Sequence, residues 1–94
     1  MVLIDILKSV EKVSQEDDVA DYESERFYGM RFIMSYYSDI KRLAVYIIIG
    51  EKKQFHCTTI WNISSSDLDS IKNYLINNVK KINRGVIEGT FFLH

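Results

Sequence analysis

Seven consecutive apolar residues, Leu43-Ala44-Val45-Tyr46-Ile47-Ile48-Ile49, end at Gly50. The run is short for a helix and rich in β-branched and aromatic side chains, so it predicts a strand. A strand with one wet face would alternate apolar and polar residues. An unbroken run implies that both faces are at least partly covered. It is therefore the expected central strand of a small sheet, around which the other apolar positions have to be arranged.

The 94 residues suit one core, so residues 1–94 are expected to form a single domain. With 47% hydrophobic and 27% charged residues, the chain has the composition of a globular rather than a disordered protein. Seven residues is its longest apolar run, too short for a transmembrane helix, and no membrane partner is expected. The opening MVLIDILKSV carries an early acid and neither a basic start nor a small-residue cleavage site, which argues against a secretory signal. Cys57 is the single cysteine, so an internal disulfide and a multi-cysteine zinc site are excluded, and a reducing cytoplasmic setting is expected.

Read in order, the chain opens with an amphipathic helix carrying Leu3, Ile6, Leu7, Val10 and Val13 on one side. An acidic segment, Gln15 to Glu25, follows and reads as an exposed loop. A first strand from about Arg26 to Tyr37 places Tyr28, Met30, Phe32, Met34 and Tyr36 on one face. The third strand, about Lys53 to Ile63, alternates, with Phe55, Cys57, Trp61 and Ile63 opposite Gln54, His56, Thr58 and Asn62. A second helix begins at the serines before Asp67, with Ser66 and Asp69 in capping-box spacing. It buries Leu68, Ile71, Leu75, Val79 and Ile82, and Gly85 is placed to end it. Val86 to His94 then reads as a short strand with Ile87, Phe91 and Leu93 on one side. The expected fold is α+β in the order α-β-β-β-α-β: an antiparallel three-stranded meander plus a short C-terminal strand, with two helices packed on one face.

Register tests this arrangement, because directly opposed residues share a face. A two-residue turn at Ser38-Asp39 would oppose Met34 to Leu43, Phe32 to Val45 and Met30 to Ile47. A three-residue loop, Gly50-Glu51-Lys52, would oppose Ile47 to Phe55 and Val45 to Cys57. Both choices make one face of the meander continuously apolar.

Helix, meander, helix resembles the order of the double-stranded-RNA-binding domain. That family meets phosphates with lysines at the start of its second helix. Here that helix opens Ser65-Ser66-Asp67-Leu68-Asp69, where acids would repel phosphate. The order also looks like the front of secretion-chaperone-type α+β domains, a likeness that implies polypeptide binding and dimerisation.

Residues that could carry catalysis are few. His56 and Cys57 are neighbours on one strand, so their side chains should point to opposite faces and form no thiolate–imidazole pair. There is no HxH or HxxxH spacing for zinc. Glu16, Asp17, Asp18 and Asp21 lack the spacing of a helix–loop–helix calcium site. Gly29, Gly50, Gly85 and Gly89 are too scattered to cradle phosphate. Neither enzymatic activity nor a cofactor is expected.

A binding surface has more support. With the helices over Phe32, Val45, Ile47, Phe55 and Trp61, the opposite face would present Phe27, Arg31, Ile33, Tyr37, Ala44, Tyr46, Ile48, Gln54, His56 and Thr58. Of these, Phe27, Arg31, Ile33, Tyr37, Tyr46, Ile48 and His56 are the candidate protein-binding residues, being of the kinds that interfaces favour. A second candidate is the acidic segment, with Glu16, Asp17, Asp18, Asp21, Glu23 and Glu25. The leading expectation is a small non-catalytic protein-binding domain, an inhibitor or immunity-type protein of the kind mobile elements encode. It would self-associate as a homodimer through the uncovered face. The alternative is a nucleic-acid-binding accessory protein using Lys41, Arg42, Lys52 and Lys53 at hairpin ends with Lys80, Lys81 and Arg84 on the second helix. A net charge of −1 and the acidic first quarter weigh against it.

Overall fold

The computed structural model describes residues 3–51 and 53–92. A short helix α1 (Leu3–Lys8) leads into five strands, β1 (Glu11–Glu16), β2 (Val19–Glu23), β3 (Met30–Tyr37), β4 (Arg42–Ile49) and β5 (Lys53–Trp61). Two helices, α2 (Leu68–Asn77) and α3 (Val79–Phe92), complete the chain. The strands form one antiparallel sheet in the order β1-β2-β3-β4-β5. The α+β class, the antiparallel meander and the one-sided placement of the helices are as the sequence leads one to expect.

The core lies between the helices and one sheet face. Ala20 and Tyr22 of β2, Phe32, Met34 and Tyr36 of β3, and Leu43, Val45 and Ile47 of β4 are all buried there. Ile6 and Leu7 of α1, Val10 just beyond it, Ile71 and Leu75 of α2, and Ile82 of α3 cover them. Two tyrosines tie the β5–α2 connection across this layer. Tyr36 donates its hydroxyl hydrogen bond to the Ile63 carbonyl at 2.6 Å, and Tyr22 donates to the Ser66 carbonyl. Burying these rings is favourable because each phenol has a partner.

The acidic segment is a β-hairpin, not a loop. β1 is exposed along its whole length, so no apolar alternation announces it. β2 carries the signal in Ala20 and Tyr22, and Asp17 turns the hairpin at φ 48°, a conformation that aspartate tolerates. α1 therefore stops at Lys8, and Val13, expected on a helix, sits 53% exposed on a strand. The added hairpin breaks the helix–meander–helix order that prompted the double-stranded-RNA-binding likeness. β3 also starts later than expected. Tyr28 and Gly29 have positive φ, and Phe27 and Met30 bridge across them, which leaves Tyr28 80% exposed.

The β4–β5 register places Ile47 opposite Phe55, as the three-residue loop requires. The β3–β4 loop is four residues rather than two, with Lys41 at φ 54°, so Met34 opposes Val45 and Phe32 opposes Ile47. A shift of two residues preserves the faces. In β5 the parity changes. Tyr46 opposes His56 but Val45 opposes Thr58, so Cys57 is a bulge residue. Beyond it Thr58 and Ile60 turn toward the helices, while Thr59 and Trp61 turn away. Trp61 is therefore 59% exposed instead of buried, and Ile60 takes its place in the core at 6%.

The C-terminal segment is helical, not a strand. Asp67, one residue later than expected, caps α2 by accepting from the Ser70 amide. Asn78 separates α2 from α3, its side-chain amide donating to the Tyr74 carbonyl at 2.8 Å. Gly85 does not end a helix. It lies within α3, buried against β5, with Val79 and Ile82 before it and Val86 after it packed on the core. Ile87, expected to share one side of a strand with Phe91 and Leu93, lies on α3 and is 58% exposed. The positions expected for Lys52, Leu93 and His94, and for the side chain of Phe91, lie outside the described residues.

Candidate protein-binding face

The helices leave the other sheet face open, and strand pairing arranges its side chains in rows that cross the sheet. One row runs Glu16, Val19, Tyr37, Arg42, Trp61 from β1 to β5. The next runs Ser14, Asp21, Ser35, Ala44, Thr59, and the third Glu11, Glu23, Ile33, Tyr46, His56. Arg31, Ile48 and Gln54 form a shorter fourth row. Each of the outer long rows is acidic at its β1 end, apolar at β3 and aromatic or basic toward β5.

Specific contacts hold these rows. The Arg42 guanidinium lies 4.6 Å from the Tyr37 ring centroid and 6.0 Å from that of Trp61, so both rings face a cation. Arg42 Nε is buried without a hydrogen-bond partner, as is Arg31 Nε. Arg31 pairs with Glu23 at 3.5 Å on a half-exposed part of the face. Tyr46 and His56 meet edge to face at 5.5 Å, and His56 Nε2 lies 2.8 Å from Thr59 Oγ1. Asp21 accepts from Ser14 Oγ at 2.9 Å and from Ser35 Oγ at 2.7 Å, joining β1, β2 and β3.

Of the residues expected to bind protein, Arg31, Ile33, Tyr37, Tyr46, Ile48 and His56 share this face. Phe27 does not. The tight turn at Tyr28-Gly29 folds it inward, where it is 7% exposed and stacks on Phe32 at 5.3 Å. Thr58 is also on the helix side, displaced by the bulge. Trp61 and Thr59 join the face for the same reason, which strict alternation along β5 hides. The acidic residues are divided: Asp17 and Asp18 form the hairpin tip, Glu16, Asp21 and Glu23 belong to the open face, and Glu25 lies beyond β2.

The basic residues of the nucleic-acid alternative that lie among the described residues are not brought into one stripe. Lys41 and Arg42 lie at one end of β4, Lys53 at the other, and Lys80, Lys81 and Arg84 are exposed on α3, on the helix side of the sheet. Burial pushes the Cys57 thiol up to about 12, so it is held as a thiol, packed against the core. Among the described residues no group of three or more His, Cys, Asp or Glu is placed to hold a metal ion. No described helix is long and apolar enough to cross a membrane. No protein-family model, curated protein or solved structure matches the chain. Fold and face define it as a small α+β domain with a one-sided helical layer and an open aromatic sheet face.

Proposed function

We propose that the chain is a non-catalytic protein-binding domain, of the inhibitor or immunity type that mobile elements encode, acting in the cytoplasm through its open sheet face, its acidic hairpin or both. The observation that carries this reading is the line Tyr37–Arg42–Trp61, an arginine flanked by two aromatic rings on a surface that no helix covers. Tryptophan, tyrosine and arginine are the residues most enriched among those that dominate interface energies. Ile33, Tyr46 and Ile48 extend the same patch, and monomers rarely leave a wide apolar patch open. The acidic β1–β2 hairpin at its edge would favour a partner with basic groups and speed its approach.

The test is affinity recovery from the native host with the parent chain and a Trp61→Ser variant as baits, each with and without nuclease. A protein retained by the parent, lost with Trp61→Ser and indifferent to nuclease supports the reading. Equal recovery by both baits, or nuclease-sensitive recovery of nucleic acid, overturns it.

A further inference from the structure

We infer that the partner on the open face is a second copy of this chain, packed face to face about a twofold axis running along β3. The inference rests on the reading of that face as a protein-binding surface and adds the identity and orientation of the occupant. Two sheets related by a twofold and packed face to face have the axis between them, and in an aligned packing it runs nearly across the strands or nearly along them. An axis across the strands would lay β1 on its own copy and set Glu11 and Glu16 against the same acidic edge. An axis along β3 instead lays β1 over β5 and β2 over β4.

The rows then mate with themselves. Glu16 reaches the partner's Trp61 and Arg42 end, and Tyr37 and Ile33 meet their own copies at the centre. Neither Glu16 nor Arg42 forms an ion pair among the described residues, so each has a charge free for the other. The two strands on either side of β3 extend about 10 Å from the axis at the usual interstrand spacing. Aligned sheets cross at about 30°, which displaces the outer rows by about 5 Å, within reach of glutamate and arginine side chains. The face measures about 24 by 27 Å at ordinary strand spacing and rise. That footprint is of the order of the roughly 800 Å² per partner that stable complexes bury.

Sedimentation velocity of the full chain at micromolar concentration tests this, with Glu16→Arg, Arg42→Glu, the double variant and Tyr46→Asp beside it and folding checked by circular dichroism. The expected parent is a dimer of 11.0 kDa chains. Each single charge reversal should weaken association about tenfold or more, and the double reversal should restore most of it. Should Arg42→Glu fail to fold, Arg42→Gln must weaken the dimer in the same sense. An 11.0 kDa parent overturns the self-association and leaves the face to a different protein. Single variants that weaken the dimer without rescue in the double overturn the axis along β3. A dimer indifferent to all the variants, Tyr46→Asp included, overturns both this inference and the reading of the face beneath it.

Discussion

Gly85 on α3 lies so close to Cys57 on β5 that a Cβ built on the glycine would stand 2.2 Å from the Cys57 carbonyl oxygen and 2.7 Å from its Cα. The helix thus rests directly on the backbone of the bulge. Backbone atoms cannot swing aside as a side chain would, so this contact fixes how deeply α3 is seated.

Gly85→Ala should therefore destabilise the fold. Alanine gains about 1 kcal/mol in helix propensity, but overpacking against backbone costs about 1–3 kcal/mol, and a contact this short belongs at the upper end. The expected net loss is about 2 kcal/mol, read from urea unfolding. Gly89→Ala is the control, because its Cβ would meet only the Phe55 Cβ at 4.0 Å. It should leave stability unchanged or raise it by up to about 1 kcal/mol. A Gly85→Ala variant as stable as Gly89→Ala would show that α3 is seated less deeply.

Trp61→Ala should cost no more than about 1 kcal/mol, the scale of an exposed cation–π contact, since the ring is 59% exposed. Phe32→Ala, at the centre of the buried face, should cost about 3–5 kcal/mol. Comparable losses of denaturation midpoint in the two variants would place the indole in the core after all.

Alkaline pH should weaken the fold through Cys57. Burial raises its thiol from an ordinary 9.0 to about 12, so the folded chain holds a proton that the unfolded chain gives up. The stabilisation from the neutral thiol is complete below pH 9 and declines as pH rises toward 12. Tyr22, raised by burial from 10.0 to about 12, acts in the same direction over the upper part of that range. Urea midpoints measured across this range should fall with pH, and fall less steeply in Cys57→Ala. Parallel curves for parent and variant would refute the role of the thiol.

The β1–β2 hairpin should respond unevenly to loss of charge. Asp21→Ala removes the acceptor shared by Ser14 and Ser35 and should cost about 1.5–3 kcal/mol, the scale of hydrogen bonds to a charged group. Asp17→Asn at the exposed turn should stay within about 0.5 kcal/mol, because asparagine also accepts positive φ. Thermal unfolding of the two variants checks the contrast, and equal effects would mean that the Asp21 bridge contributes nothing.

The central strand, the core-facing parity of β3 and β4 and the helix stripe Ile71, Leu75 and Ile82 were legible because an unbroken apolar run, alternation and helical spacing each leave their mark, whereas the β3–β4 partners lie two residues from those expected. β1 was not, since Glu11 to Glu16 is exposed on both sides and carries no apolar alternation. Val86 to Phe92 misled because Gly85 looks like a helix stop, whereas its role is a close approach that only the packed sheet reveals. Most of the open face followed from β3 and β4 parity. Phe27 was misplaced by a turn of two positive-φ residues, and Trp61 by one unpaired residue that leaves no mark on composition or periodicity.

That unpaired residue at Cys57 is a pivot for the surface. Were the strand to run straight through it, with Cys57 paired to Val45, Thr58 through Trp61 would each change sides, carrying the indole under the helices and turning isoleucine out to water. Arg42 would keep Tyr37 and lose its second ring. Deleting Cys57 outright does none of this, because Thr58 then follows His56 and still opposes Val45. The open face is thus indifferent to the length of β5 and sensitive to its local pleat, on which α3 rests at Gly85.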